Sequence, residues 1–213
     1  MIQIYPSVMA KNQQELDTTL KKLNGIARTL HLDIGDGKFV SHQYGWFTFK
    51  LSQNFKYNAH LMVRDPESWI RNNGKKVETI LIHPEPLSDQ QILGLIKQVK
   101  SLKKKVGLAL KPETNVASIK KYLPLLNYVL ILTVHPGSYG AKYLRAPLRK
   151  IAVIKHLQPK VKVIVDGGMK PETIRGAVNA GADIVVSGSF ITRSENPQEA
   201  MRYLRTALKS TNI

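Results

Sequence analysis

"VKVIVDGGMKPETIRGAVNAGADIVVSGS", residues 161–189, holds two short apolar runs on either side of one amphipathic stretch. "VKVIVDGG" has strand length and stops at an aspartate and a glycine pair. "PETIRGAVNAG" opens on a proline suited to a first helical turn and closes on a glycine. "ADIVVSGS" is apolar again and ends in small residues. Strand, helix, strand is the parallel crossover unit, and the pattern continues in both directions. Upstream, "IQIYPS" precedes "ELDTTLKKLNGIA", "LHLDI" precedes "FTFKLSQ", and "YNAHLMV" precedes "PESWIRNN". "ETILIHPE" then leads to "DQQILGLIKQVKSL", "KVGLALKP" to "NVASIKKYLPL", and "YVLILTVHPG" to "LRKIAVIKHL". "PQEAMRYLRTALK" follows the last strand, giving eight strand-then-helix units with no linker between them. Pro66, Pro171 and Pro197 mark helix starts, and Ser88 or Asp89 is placed to cap the fourth helix. The reading is an α/β chain forming a (β/α)8 TIM barrel, a single domain over residues 1–213. An open doubly wound sheet fits less well, because the turn "PSVMAKN" lacks a G-x-G-x-x-G fingerprint.

Composition narrows the chemistry. Hydrophobic residues make up 43% and charged residues 22%, as in globular proteins. The chain has no cysteine, so disulfides, thiolate ligands and cysteine nucleophiles are excluded, and any metal must be held by nitrogen and oxygen. Runs such as "YVLILTV" are too short to cross a bilayer and "MIQIYPSVMA" has no basic leader, so a cytoplasmic protein without membrane association is expected. The formal net charge is +17, which favours phosphorylated partners. The basic residues are scattered, densest at "KQVKSLKKKV" (97–106), and aromatic residues are 7% of the chain. That combination reads as a solvated basic surface, and nucleic-acid binding is not expected.

In a barrel the site lies at the C-terminal ends of the strands. Ser7, His31, Asp33, His60, His83, Lys111, His135, Asp166 and Ser187 to Ser189 all fall there. His31 and Asp33 are two apart on a strand, so they share a face while Leu32 points toward the helices. His60 on the next strand and Asp166 on the seventh complete two imidazoles and two carboxylates, a set suited to Zn²⁺, Mn²⁺, Fe²⁺ or Co²⁺. The loops "DGG" (166–168) and "SGS" (187–189), with "HPGSYGAK" (135–142) after the sixth strand, are small-residue turns able to turn backbone N–H groups toward an anion.

"LHLDIGDGKFV", "HLMVRDPESWI", "KKVGLALKPET", "LTVHPGSYGAKYL", "VIVDGGMKPETI" and "AGADIVVSGSFITRSENP" together resemble the ribulose-phosphate 3-epimerase family almost end to end. The resemblance implies a divalent metal on His31, Asp33, His60 and Asp166, a substrate-contacting serine at Ser7, and phosphate-contacting backbone at Gly167, Gly168, Gly188 and Ser189. Met62 and the sixth-loop glycines Gly137 and Gly140 match further substrate-binding positions. It also implies that Asp33 and Asp166 exchange the proton on opposite faces of a ketose phosphate, through an enediolate stabilised by the cation, and that the protein is a homo-oligomer.

Departures from the family pattern surround the substrate. Gly35 stands where a pocket methionine is expected, and Ser41 and His42 replace a proline and an asparagine. Leu132 replaces another methionine, Lys111 an asparagine, and Ser138, Tyr139 and Ala141 alter the sixth loop. A glycine at 35 suggests a roomier pocket. The resemblance makes interconversion of D-ribulose 5-phosphate and D-xylulose 5-phosphate the leading expectation, and the roomier pocket leaves a hexulose-6-phosphate 3-epimerase of the allulose 6-phosphate type as alternative. A non-catalytic basic barrel that binds RNA or an anionic partner is a more remote one.

Overall fold

The computed structural model describes residues 2–137 and 140–209. Nine strands form one sheet: β1 (Gln3–Val8), β2 (Thr29–Asp36), β3 (Gln43–Tyr44), β4 (Lys56–Met62), β5 (Thr79–Ile82), β6 (Lys105–Leu110), β7 (Tyr128–Leu132), β8 (Lys162–Asp166) and β9 (Ile184–Ser187). Eight of them run parallel in the order β1-β9-β8-β7-β6-β5-β4-β2, and pairing of β1 with β2 closes the ring. The short β3 pairs antiparallel to the end of β2. This is the (β/α)8 barrel expected from the sequence.

Alternation along each strand separates two apolar layers. One face of the strands, with Leu81, Ala109, Tyr128, Leu130, Leu132, Ile164, Ile184 and Val186, fills the barrel interior. Gly107 belongs to this packing, since a Cβ there would lie 2.6 Å from Leu81 Cδ2 and 2.7 Å from the Tyr128 carbonyl oxygen. The opposite faces, including Leu30, Leu32, Ile34, Val106, Leu108, Val163 and Val165, pack under the helices in the main core. Those helices are α1 (Gln13–Leu23), α2 (Pro66–Asn73), α3 (Asp89–Ser101), α4 (Arg149–Leu157), α5 (Pro171–Asn179), α6 (Ser189–Thr192) and α7 (Pro197–Lys209). Pro66, Pro171 and Pro197 each open a helix, and Ser88 caps α3 in a reciprocal capping box with Gln91. Among the described residues, no helix is long and apolar enough to cross a membrane.

Two units depart from the strand-then-helix reading. "FTFKLSQ" forms no helix. Its apolar residues Phe47, Phe49 and Leu51 recur every second position, not every third or fourth, and burial alternates accordingly. Phe49 packs against Trp69 of α2, with ring centroids 6.3 Å apart, and so covers the barrel wall where a helix was expected. "NVASIKKYLPL" forms 3-10 turns over Val116–Leu125. Val116, Ile119 and Tyr122 are buried at a spacing of three, the period of that helix, and Pro124 removes an N–H donor near its end.

Candidate active site

Register builds the site. Ser7 of β1 is paired with His31 of β2, and Asp33 of β2 with His60 of β4, so four inward side chains meet near the barrel mouth. Asp166 ends β8 on the other side. His31 and His60 are fully buried and Asp33 nearly so. His60 Nδ1 lies 3.1 Å from Asp33 Oδ1 and 3.7 Å from Asp166 Oδ2. His31 Nε2 is 3.4 Å from Asp33 Oδ1 and 3.7 Å from Asp166 Oδ2. One donor atom from each of the four residues lies within 4.8 Å of the others. Ser7 Oγ donates to the remaining Asp33 oxygen, Oδ2.

Electrostatics separates the two carboxyl groups. Burial alone would raise Asp33, but the His31 and His60 imidazoles beside it outweigh that and hold Asp33 well below the usual carboxylate range. Asp166 is pushed up, to about 6, by burial and by repulsion from Asp33. His31 is raised: its burial opposes charge, but Asp33 and Asp166 overcome that. Neither ring nitrogen of buried His31 makes a well-formed hydrogen bond, and Nε2 meets only the two carboxylates, at 3.4 and 3.7 Å; this is costly for a polar group. Two imidazoles and two carboxylates converging on one point, one imidazole without a well-formed hydrogen bond, fit a divalent cation with nitrogen and oxygen ligands.

Beside this cluster opens a cavity of 420 Å³. Ser7, Asp33, His60, Met62 and Asp166 line its inner end, with Gly137, Gly140, Gly167, Gly168, Gly188 and Ser189 on the loops around it. The Gly167 turn is held from behind. Thr133 Oγ1 donates to the carbonyls of Asp166 and Gly167, at 2.9 and 2.6 Å, and Thr173 Oγ1 donates to that of Gly168 at 2.6 Å. Ser187 Oγ donates to the Met169 carbonyl at 2.7 Å. With these carbonyls engaged by the protein, the loop offers an anion fewer repulsive groups. Gly167 has φ of +109°, and a Cβ there would lie 2.6 Å from Val134 Cγ2, so only glycine fits without a shift.

Met9, Tyr143, Lys170 and Phe190 also line the cavity and were not singled out from sequence. Met9 was accessible to the two-residue rule that paired His31 with Asp33, since it lies two beyond Ser7. Phe190 sits in the short α6, where no period reports direction. Other candidates fall elsewhere. His135 is exposed, 3.7 Å from Glu113, and His42 bonds Ser41 on the surface. Lys111 Nζ lies over the Phe39 ring at 4.2 Å, off the cavity wall. Ser138 and Tyr139 lie outside the described residues.

The roomier pocket expected from Gly35 is corrected by the structure. Gly35 pairs with Tyr44 across β2 and β3, and a Cβ at 35 would meet Tyr44 Cζ at 2.8 Å. The Tyr44 ring occupies the space left by the missing side chain, and its hydroxyl lies 3.6 Å from Met62 Sδ.

Residues 3–192 match the sequence profile of the ribulose-phosphate 3 epimerase family. The chain belongs to that family. Ribulose-phosphate 3-epimerases similar to it include those of Eremothecium gossypii, 28% identical over 95% of this chain and 91% of the relative, and Bacillus subtilis, 28% identical over 96% and 99%. That of Treponema pallidum is 30% identical over 86% of this chain and 88% of its own length. Among solved structures, KGPDC from Streptococcus mutans superposes with a TM-score of 0.72 at 12% identity, covering 98% of each chain. The 3-hexulose-6-phosphate synthase of Salmonella typhimurium gives 0.67 at 13% identity, covering 97% and 98%. These two likenesses are of fold. Membership of the epimerase family makes the protein a carbohydrate epimerase, an isomerase.

Proposed function

We propose that this protein interconverts D-ribulose 5-phosphate and D-xylulose 5-phosphate, with Asp33 and Asp166 as the two acid/base groups and His31, Asp33, His60 and Asp166 as ligands of one divalent cation. The observation that carries the reading is the convergence of two imidazoles and two carboxylates, one donor atom from each within 4.8 Å of the others, at the inner end of the cavity. Zn²⁺, Mn²⁺, Fe²⁺ or Co²⁺ would suit the donor set, and the cation when bound supplies Lewis-acid stabilisation of the enediolate charge.

Epimerisation at a carbon next to a ketone needs one group to take a proton from one face and another to return one to the opposite face. Asp33, ionised and held by Ser7, serves as the base in one direction. Asp166 returns a proton from the strand across the barrel, and the roles reverse for the other epimer. Met9, Met62 and Phe190 contribute apolar wall that excludes water from the intermediate. The phosphate is assigned to the Gly167, Gly168, Gly188 and Ser189 end, with Lys170 as nearby positive charge.

A five-carbon substrate is favoured over a hexulose phosphate because Tyr44 fills the opening that Gly35 would leave. Turnover of purified protein on D-ribulose 5-phosphate and on D-allulose 6-phosphate tests the choice: higher kcat/KM on the pentulose supports the assignment, and the reverse order replaces it. A non-catalytic RNA-binding barrel has no reason to keep the four ligands together, and it is not adopted.

A further inference from the structure

The polar chain does not stop at the four converging residues. His60 Nε2, on the side of the ring away from Asp33, lies 2.9 Å from His83 Nε2. His83, just beyond β5 and fully enclosed, has its Nδ1 2.9 Å from Glu85 Oε2. The other Glu85 oxygen takes the Thr114 hydroxyl at 2.6 Å and the Lys111 backbone N–H at 2.9 Å.

Hydrogen positions follow from the fixed end of this chain. The Lys111 backbone N–H can only donate, so Glu85 Oε1 accepts, and the ionised carboxylate also accepts at Oε2. His83 must then carry its hydrogen on Nδ1 and present a lone pair at Nε2. That lone pair faces His60 Nε2, which must donate. His60 is left with a lone pair on Nδ1, the atom 3.1 Å from Asp33 Oδ1 and 3.7 Å from Asp166 Oδ2. A lone pair aimed at two carboxylate oxygens is repulsive unless a cation lies between them.

From this geometry we infer that His83 and Glu85 are positioning residues: they lock His60 in the tautomer that offers Nδ1 to a divalent cation. The inference rests on the metal reading of the preceding section. It extends the site beyond its ligands by two residues that make no contact with the cavity, in the manner by which outer partners orient ligating histidines.

Zinc equilibrium dialysis and ¹⁵N-histidine NMR of the full chain test it. In zinc-loaded wild type, His83 should show a pyrrole-type Nδ1 and a pyridine-type Nε2. In Glu85→Gln the amide NH₂ faces His83 Nδ1 and reverses the chain, driving a hydrogen onto His60 Nδ1. Zinc affinity should therefore fall ~10- to 100-fold while the thermal midpoint in chelator stays near that of wild type. Wild-type zinc affinity in Glu85→Gln overturns the inference and leaves the metal reading standing. So does an Nε2–H tautomer of His83 in loaded wild type, a measurement that needs no variant to fold. Wild type that takes up no zinc overturns the metal reading and this inference with it.

Discussion

Asp33 and His60 are register partners on adjacent parallel strands, and their Oδ1 and Nδ1 atoms lie 3.1 Å apart. Strand pairing alone thus brings a carboxylate against an imidazole, and Ser7, the register partner of His31 one strand away, reaches the same Asp33 carboxylate. A site built into the sheet is rigid, so its ligands remain close when the cation is removed. Ligand binding to the folded state alone stabilises by ~2.7 kcal/mol at a concentration 100 times Kd. Chelation should therefore lower the thermal midpoint of wild type measurably in differential scanning fluorimetry. His60→Ala should lose that sensitivity; an equal chelator effect in the variant would mean the cation sits elsewhere.

Gly35 and Tyr44 should behave as a coupled pair. Gly35→Ala forces a Cβ to within 2.8 Å of Tyr44 Cζ and 2.9 Å of the His42 carbonyl, and overpacking of this kind costs ~1–3 kcal/mol. Tyr44→Ala opens a cavity beside Met62. Urea denaturation of both single variants and the double variant gives the coupling energy, and a double variant more stable than the sum of the singles is expected. Strict additivity would show that the ring does not occupy that space in solution.

Gly167→Ala bears on the phosphate end. Its φ of +109° and the 2.6 Å approach of Val134 leave no strain-free place for a methyl group. Displacement of the loop that costs ~1.4 kcal/mol of substrate binding raises KM about tenfold. Steady-state kinetics on D-ribulose 5-phosphate should show the larger change in KM, whereas a pure kcat loss would relocate the phosphate.

Asp36 ties the end of β2 to the strand beside it. Its Oδ1 accepts the backbone N–H groups of Lys38 and Phe39, both at 2.8 Å, and its Oδ2 accepts that of Arg64 at 2.8 Å. Burial opposes ionisation, but these bonds outweigh it and lower the Asp36 pKa. A depressed folded-state pKa gives stability that is present above the unfolded value of ~3.9 and is lost as pH falls through the folded value. Asp36→Asn should cost ~1–3 kcal/mol at neutral pH and flatten the acid limb of the stability curve, measured by urea midpoints from pH 7 to pH 3. An unchanged acid limb would assign that stability to other carboxyl groups.

The barrel and its four converging residues were legible because both rest on short-range periodicity. Alternation marked the strands, and the two-residue spacing of His31 and Asp33 put them on one face. What escaped depends on contacts distant in sequence. Nothing local tells that Tyr44 folds back over Gly35, turning an apparent opening into a filled wall. The apolar alternation at Phe47, Phe49 and Leu51 was in view, yet its place after a strand suggested a helix. His83 was noticed at a strand end, but its partnership with His60 needed the β4 and β5 register, and that with Glu85 needed the course of the following loop.

The central claim is that Asp33 and Asp166 exchange the proton at C3 from opposite faces. Its most direct test is epimerisation of D-ribulose 5-phosphate in D₂O by the metal-loaded protein, with deuterium at C3 of the product read by NMR beside Asp33→Asn and Asp166→Asn. One solvent deuterium at C3 of the wild-type product, and turnover reduced by at least ~10²-fold in each variant, is the expected result. Product that forms without solvent deuterium, or wild-type turnover in either variant, would contradict the two-aspartate account.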